Sequence, residues 1–120
     1  MKNTKWNNNE YDIVISAYCE LWIKQKNGKS IDVAQATRDC SIALNGSRSP
    51  GSVRMRFGNI AYVFSLHNLE IVENVQALQN ITIECSEYIW EEIKRNIYKN
   101  EEGENGDAKV ADTTAEKRTV

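Results

Sequence analysis

The sequence predicts an all-α fold: a tri-helical core, an additional C-terminal helix and a disordered acidic tail. Apolar residues recur at helical spacing in separate stretches, as they do along one face of a helix. Residues that favour helix starts and stops bound these stretches. From Glu101 onward the composition turns polar and acidic, with no large apolar residue except Val110 and Val120. Such a segment cannot bury enough surface to order itself, so 101–120 is expected to be disordered. The remaining residues, 1–100, suit a single helical domain with a modest core, divided into a tri-helical part over 6–64 and packing helices over 65–100.

The first helix is predicted over about residues 8–26, led by the asparagine run Asn7–Asn9 and the early acid Glu10. Val14, Tyr18, Leu21 and Trp22, with Ala17 between, form its apolar stripe, and Trp6 is placed to staple back onto it. Gly28 is a natural stop, and Lys24, Lys26 and Lys29 complement the negative end of the dipole. Ser30 can cap a second helix over roughly 31–44, whose buried set would be Ile31, Val33 or Ala34, Ala36, Cys40, Ala43 and Leu44. Asn45-Gly46 would end it.

The third helix organises the chain. Ser49 suits its N-cap, and Pro50, the one proline, suits the first turn, where no N–H is needed. Val53, Phe57, Ile60, Ala61 and Phe64 make its buried stripe. Met55, Asn59 and Tyr62 fall on the opposite face, with Arg54 and Arg56 flanking. Three helices joined in this way follow the coarse plan of helix-turn-helix and homeodomain-like domains. Beyond them, Ser65–Asn68 reads as a turn. Leu69, Ile71, Val72, Val75 and Leu78 read as a short helix ended by Asn80, and Thr82–Asn100 as a last helix with Ile89, Ile93 and Ile97 inward. In that last helix Glu91 and Arg95 make an i,i+4 pair.

The formal charge of −2 is unevenly spread: residues 1–64 hold nine lysines and arginines against five acids, whereas 65–100 and 101–120 each hold three against six. The basic part is therefore the part with the third helix. Cys19, Cys40 and Cys85 are odd in number and widely spaced, and His67 is the single histidine, so no zinc site can be drawn and the thiols are expected to be reduced and buried. No catalytic motif or cofactor-binding motif is found, and the chain is not expected to be an enzyme. No apolar run resembles a signal peptide or approaches a membrane span, which predicts a soluble, cytoplasmic protein.

The pairing of Trp6 and the first helix with Arg48-Ser49-Pro50-Gly51-Ser52-Val53-x-Met55-x-Phe57-x-Asn59-Ile60 resembles the small helical region in front of the nuclease domain in some HNH restriction endonuclease-like proteins. That region in turn looks like Myb-type helix-turn-helix domains. The resemblance spans about residues 6–64 and implies a restriction-associated DNA-binding or target-recognition role. No residue set here resembles the metal site of such a nuclease, so it implies recognition without cleavage.

Both lines lead to one set of candidate contacts with double-stranded DNA. Ser52, Met55 and Asn59 would read bases. Arg48, Arg54 and Arg56 would bind phosphate or base, and the helix start at Ser49–Ser52 would offer N–H groups to phosphate. Lys24, Lys26 and Lys29 would add backbone contacts. The competing class is a regulatory protein-interaction factor of a mobile element, an anti-restriction or anti-CRISPR inhibitor of a nuclease or CRISPR effector. In that reading the acidic residues 84–92 and the tail would do the binding.

Overall fold

A computed structural model describes residues 5–105, with side chains as far as residue 98. It contains four helices, α1 (Asn8–Lys26), α2 (Val33–Ala43), α3 (Pro50–Leu66) and α4 (Ile83–Asn105), and no strand among the described residues. Among the described residues the helices α1, α2 and α3 all touch one another, and α4 packs on α1 and α3 but not on α2.

Local chemistry sets the helix ends. Asn7 caps α1 in a capping box: its side chain accepts from the Glu10 N–H at 2.9 Å, and the Glu10 carboxylate accepts from the Asn7 N–H at 3.0 Å. Trp6 stands just before this cap and packs on Tyr11 with ring centroids 5.7 Å apart, so the expected staple is present. The cap of α2 is Asp32, not Ser30; its carboxylate accepts from the Gln35 N–H at 3.0 Å. This start buries Val33 and Cys40 and leaves Ala34 and Ala43 exposed. Ser49 caps α3, taking the Ser52 N–H at 3.1 Å, and Pro50 fills the first position.

All three helices end alike. The residue after each C-cap has positive φ (Gly28, Asn45 and Asn68), and the next N–H reaches back to Lys24, Ser41 or Phe64. These are Schellman stops. The third carries α3 to Leu66, two residues beyond the expected Phe64, and uses Asn68 as its left-handed residue.

The largest departure from expectation is the stretch 67–82, which is not a helix. It runs as a strap across α1 and α3, and its backbone groups bond to side chains of those helices. Trp22 Nε1 donates to the Glu70 carbonyl at 3.0 Å, and the Tyr18 hydroxyl accepts from the Val72 N–H at 3.1 Å. The Gln25 amide donates to the Ile71 carbonyl and accepts from the Glu73 N–H. On α3, the Gly58 carbonyl accepts from the Leu78 N–H at 2.9 Å. A helix over 69–78 would spend these groups internally; the strap pairs them with its neighbours, which satisfies the same requirement. Its own Val72 and Val75 are buried against the helices.

The core is one cluster centred on α3. Val53, Phe57, Ile60, Ala61, Val63 and Phe64 are fully buried there, facing Val14, Ile15 and Tyr18 of α1 and Ile89 and Ile93 of α4. Tyr18 meets Phe57 edge-on and Phe64 at a tilt, with centroids 5.8 and 5.0 Å apart. Thr82 caps α4, its hydroxyl accepting from the Cys85 N–H at 3.1 Å. On the surface of α4 the ion pairs are Glu91–Lys94 and Glu92–Arg95 at i,i+3, replacing the expected Glu91–Arg95 pair. The helix continues to Asn105, through the first five residues expected to be tail; 106–120 lie outside the described residues. No helix among the described residues is long and apolar enough to cross a membrane.

Candidate nucleic-acid interface

The proposed contacts on α3 divide into those the fold consumes and those it leaves at the surface. Arg48 is consumed. Its guanidinium grips the Glu10 carboxylate with two hydrogen bonds, at 2.8 and 3.2 Å, and also donates to the Lys5 carbonyl at 3.0 Å. The two side chains are only 12% and 14% exposed. Arg48 also lies over the Trp6 ring, 4.8 Å from its centroid. The forked geometry makes this a strong, oriented pair that ties the start of α1 to the start of α3. A direct base or phosphate contact by Arg48 is therefore corrected to a bracing role.

Asn59 is also corrected. The helical wheel places it outward, but it is 1% exposed because the strap crosses there. Its amide donates to the Leu78 carbonyl at 2.9 Å and to Asn80 Oδ1 at 3.1 Å, while its own oxygen accepts from Arg56 at 2.7 Å. Both N–H donors of the amide are spent in this way, so it cannot make the donor-and-acceptor pair that reads adenine. Arg56 stands behind it, half-buried, 5.5 Å from the Trp6 centroid.

Ser49, Ser52, Arg54 and Met55 remain at the surface of the first two turns of α3. Ser49 and Arg54 are exposed, Ser52 is half-exposed and Met55 is 46% exposed. Arg54 is steadied by the Asn74 carbonyl of the strap, 2.6 Å away, and a carbonyl leaves its charge intact. Lys5 is exposed at the same end of the bundle.

The lysines of α1 do not join this group. Glu10 meets Arg48 at one end of the α1–α3 pair, and Trp22 meets Phe64 at the other. Lys24 and Lys26 therefore sit about 20–25 Å along α1 from Arg48, at 1.5 Å of rise per residue. Lys24 lines a groove between α1 and α2, Lys26 covers Trp22 at 4.9 Å, and Lys29 is exposed past the helix end.

Glu10, the acid beside the α3 start, is neutralised by its pairing with Arg48. The hydrogen bond from Arg48 holds the Glu10 carboxyl below its ordinary value of 4.5 against the opposing effect of burial, so the acid beside the α3 start stays ionised and paired. This stabilisation is complete above pH 4.5 and is lost as pH falls through the lowered value. Glu10→Gln, which keeps the capping oxygen, is expected to cost about 2 kcal/mol near neutrality. Thermal unfolding from pH 7 to pH 3 checks it: the gap between wild type and variant should close in acid. A gap independent of pH would refute the ion pair.

Cys19 and Cys40 are buried, and burial pushes their thiols up to about 12 and about 11. They are inert packing groups. Among the described residues no group of three or more His, Cys, Asp or Glu could hold a metal ion. The acids Glu84, Glu87 and Glu91 lie exposed along α4. Sequence reasoning missed Trp6 as the platform between Arg48 and Arg56, and Asn74 and Asn80 as strap partners of Arg54 and Asn59. The adjacent Gly58 and Asn59, two weak helix formers in the middle of an otherwise apolar helix, were the available sign of a close crossing. No known family model, curated protein or solved structure matches this chain.

Proposed function

We propose that the protein is a DNA-binding accessory module that meets the duplex with the first two turns of α3. The observation that carries this reading is the division of α3: the strap covers its middle at Gly58–Asn59, while Ser49, Ser52, Arg54 and Met55 stay open at its start. Helix-turn-helix proteins address bases with the N-terminal residues of the recognition helix. The positive end of the helix dipole and the first-turn N–H groups favour a phosphate there. With Arg48 bracing the helix against Glu10, Arg54 becomes the leading phosphate or guanine contact, Ser52 and Met55 meet base edges, and Arg56 adds field from behind Trp6. The resemblance to the region preceding HNH-type nucleases supports the same reading.

Ser52→Glu separates folding from binding. It completes a capping box with Ser49, so the helix start is kept or strengthened, yet it sets a carboxylate where phosphate would lie. Fluorescence anisotropy with a labelled duplex at about 50 and 200 mM salt should show wild-type binding that weakens with a log–log slope of about −2 to −3, from two or three phosphates. Ser52→Glu and Arg54→Ala should each weaken it about ten-fold at the lower salt, with an unchanged or higher melting temperature for Ser52→Glu. No binding at about 50 mM salt would overturn the proposal. That result would favour the protein-interaction inhibitor, whose binding surface would be the row Glu84, Glu87 and Glu91 on α4.

A further inference from the structure

We infer that the groove between α1 and α2 docks an amphipathic helix with basic flanks, supplied by a partner protein. The three core helices all touch pairwise, and α4 fills the trough between α1 and α3 without reaching α2. The matching trough between α1 and α2 stays open, with a volume of about 680 Å³. Small side chains floor it (Ala17, Ala36 and Cys40), and Ile13 at its edge is 36% exposed. A floor of small residues lets another helix approach closely, as in helix-in-groove recognition.

The rim chooses the occupant. Glu20 from α1 and Asp32 and Asp39 from α2 line it against Lys24 alone, an excess of two negative charges. Asp39 is oriented by Gln35 Nε2 at 2.8 Å, and Gln35 in turn accepts from Arg38. A nucleic acid is repelled by such a rim, and a second copy pairing the same faces sets like charges together. A helix with a narrow apolar stripe flanked by lysines or arginines answers both floor and rim, and the rim acids select its orientation. The chain would then hold DNA at the α3 start and a protein on another face.

The test uses the full chain and a synthetic helical peptide of about 18 residues, carrying a Leu/Ala stripe at i, i+3, i+4, i+7 with lysines on both flanks. A peptide of identical composition in scrambled order is the control. NMR shift mapping should place the striped peptide on Ile13, Ala17, Ala36 and Cys40. Glu20→Lys/Asp39→Lys should weaken it at least about ten-fold, and Ser52→Glu should leave it unchanged. Melting curves of the charge-reversed chain confirm that it folds.

Equal binding of the scrambled peptide, shifts confined to other faces, or no binding at about 1 mM peptide would each overturn the proposal. Tighter peptide binding after removal of 106–120 would give the groove to the chain's own terminus and overturn it. Dimerisation abolished by the charge reversal would give the groove to a second copy and overturn it equally.

Discussion

Gly58→Ala is expected to destabilise the protein by about 2 kcal/mol, although alanine in a helix normally gains about 1 kcal/mol over glycine. A Cβ on Gly58 would lie 2.7 Å from two side-chain atoms of Leu78 and 2.8 Å from the Gln76 carbonyl oxygen. A leucine tip can turn aside, but a backbone oxygen moves only with the strap. Overpacking of this kind costs about 1–3 kcal/mol, and displacing the strap also strains the Leu78–Gly58 and Asn59–Leu78 hydrogen bonds. For a domain of this size the melting temperature should fall by about 10 °C. A double-mutant cycle isolates the contact: Leu78→Ala should cost less in the Gly58→Ala background than alone, because it removes two of the three close atoms. A Gly58→Ala protein that melts higher than wild type would mean that helix propensity decides this site and the strap does not.

The helices were legible where the information is local. The Asn7 and Ser49 caps, Pro50 and the stripe Val53, Phe57, Ile60, Ala61 and Phe64 are each set within a turn or two of chain, and the structure has them where spacing places them. The start of α2 was less determined, since Ser30 and Asp32 are both good caps two residues apart. Asp32 satisfies the cap while bringing Val33 inward. The strap was not legible. Leu69, Val72, Val75 and Leu78 fall three apart, a spacing that suits a helix face, and nothing in 69–78 itself says that its backbone partners are Tyr18, Trp22, Gln25 and Gly58, 20 to 54 residues away.

The engagement of Arg48 and Asn59 within the fold was hidden for the same reason. Composition supplies the right side chains for DNA, but partners decide what those side chains are free to do. Arg48 and Glu10 are 38 positions apart and form one bracket; Asn59 and Asn80 are 21 apart and form one part-buried contact. The strap that overturned the predicted helix also hid Asn59, so the two misses share one cause. The proposed interface accordingly shrinks from the length of α3 to its first two turns.

Tyr18→Phe is the sharpest probe of whether the strap is an integral part of the domain. The ring of Tyr18 is fully buried between Phe57 and Phe64, and phenylalanine keeps both contacts. The loss is confined to the hydroxyl oxygen, which accepts the Val72 N–H at 3.1 Å in a buried setting. Burial pushes the phenol above its ordinary value of 10, so it stays neutral across the working pH range. Without that oxygen the amide of Val72, itself 1% exposed, is left buried without its acceptor, at a cost of about 1–3 kcal/mol. Tyr18→Ala removes the ring as well and should cost about 4–5 kcal/mol, enough to unfold a marginal domain. Hydrogen exchange in Tyr18→Phe then tells how the strap opens. Faster exchange at Val72 and Leu78 together would mark 67–82 as one cooperative unit. Its release would uncover Asn59 and lengthen the open face of α3. Faster exchange at Val72 alone would leave the Gly58 crossing closed, and with it the limit that confines the proposed DNA contact to the start of the helix.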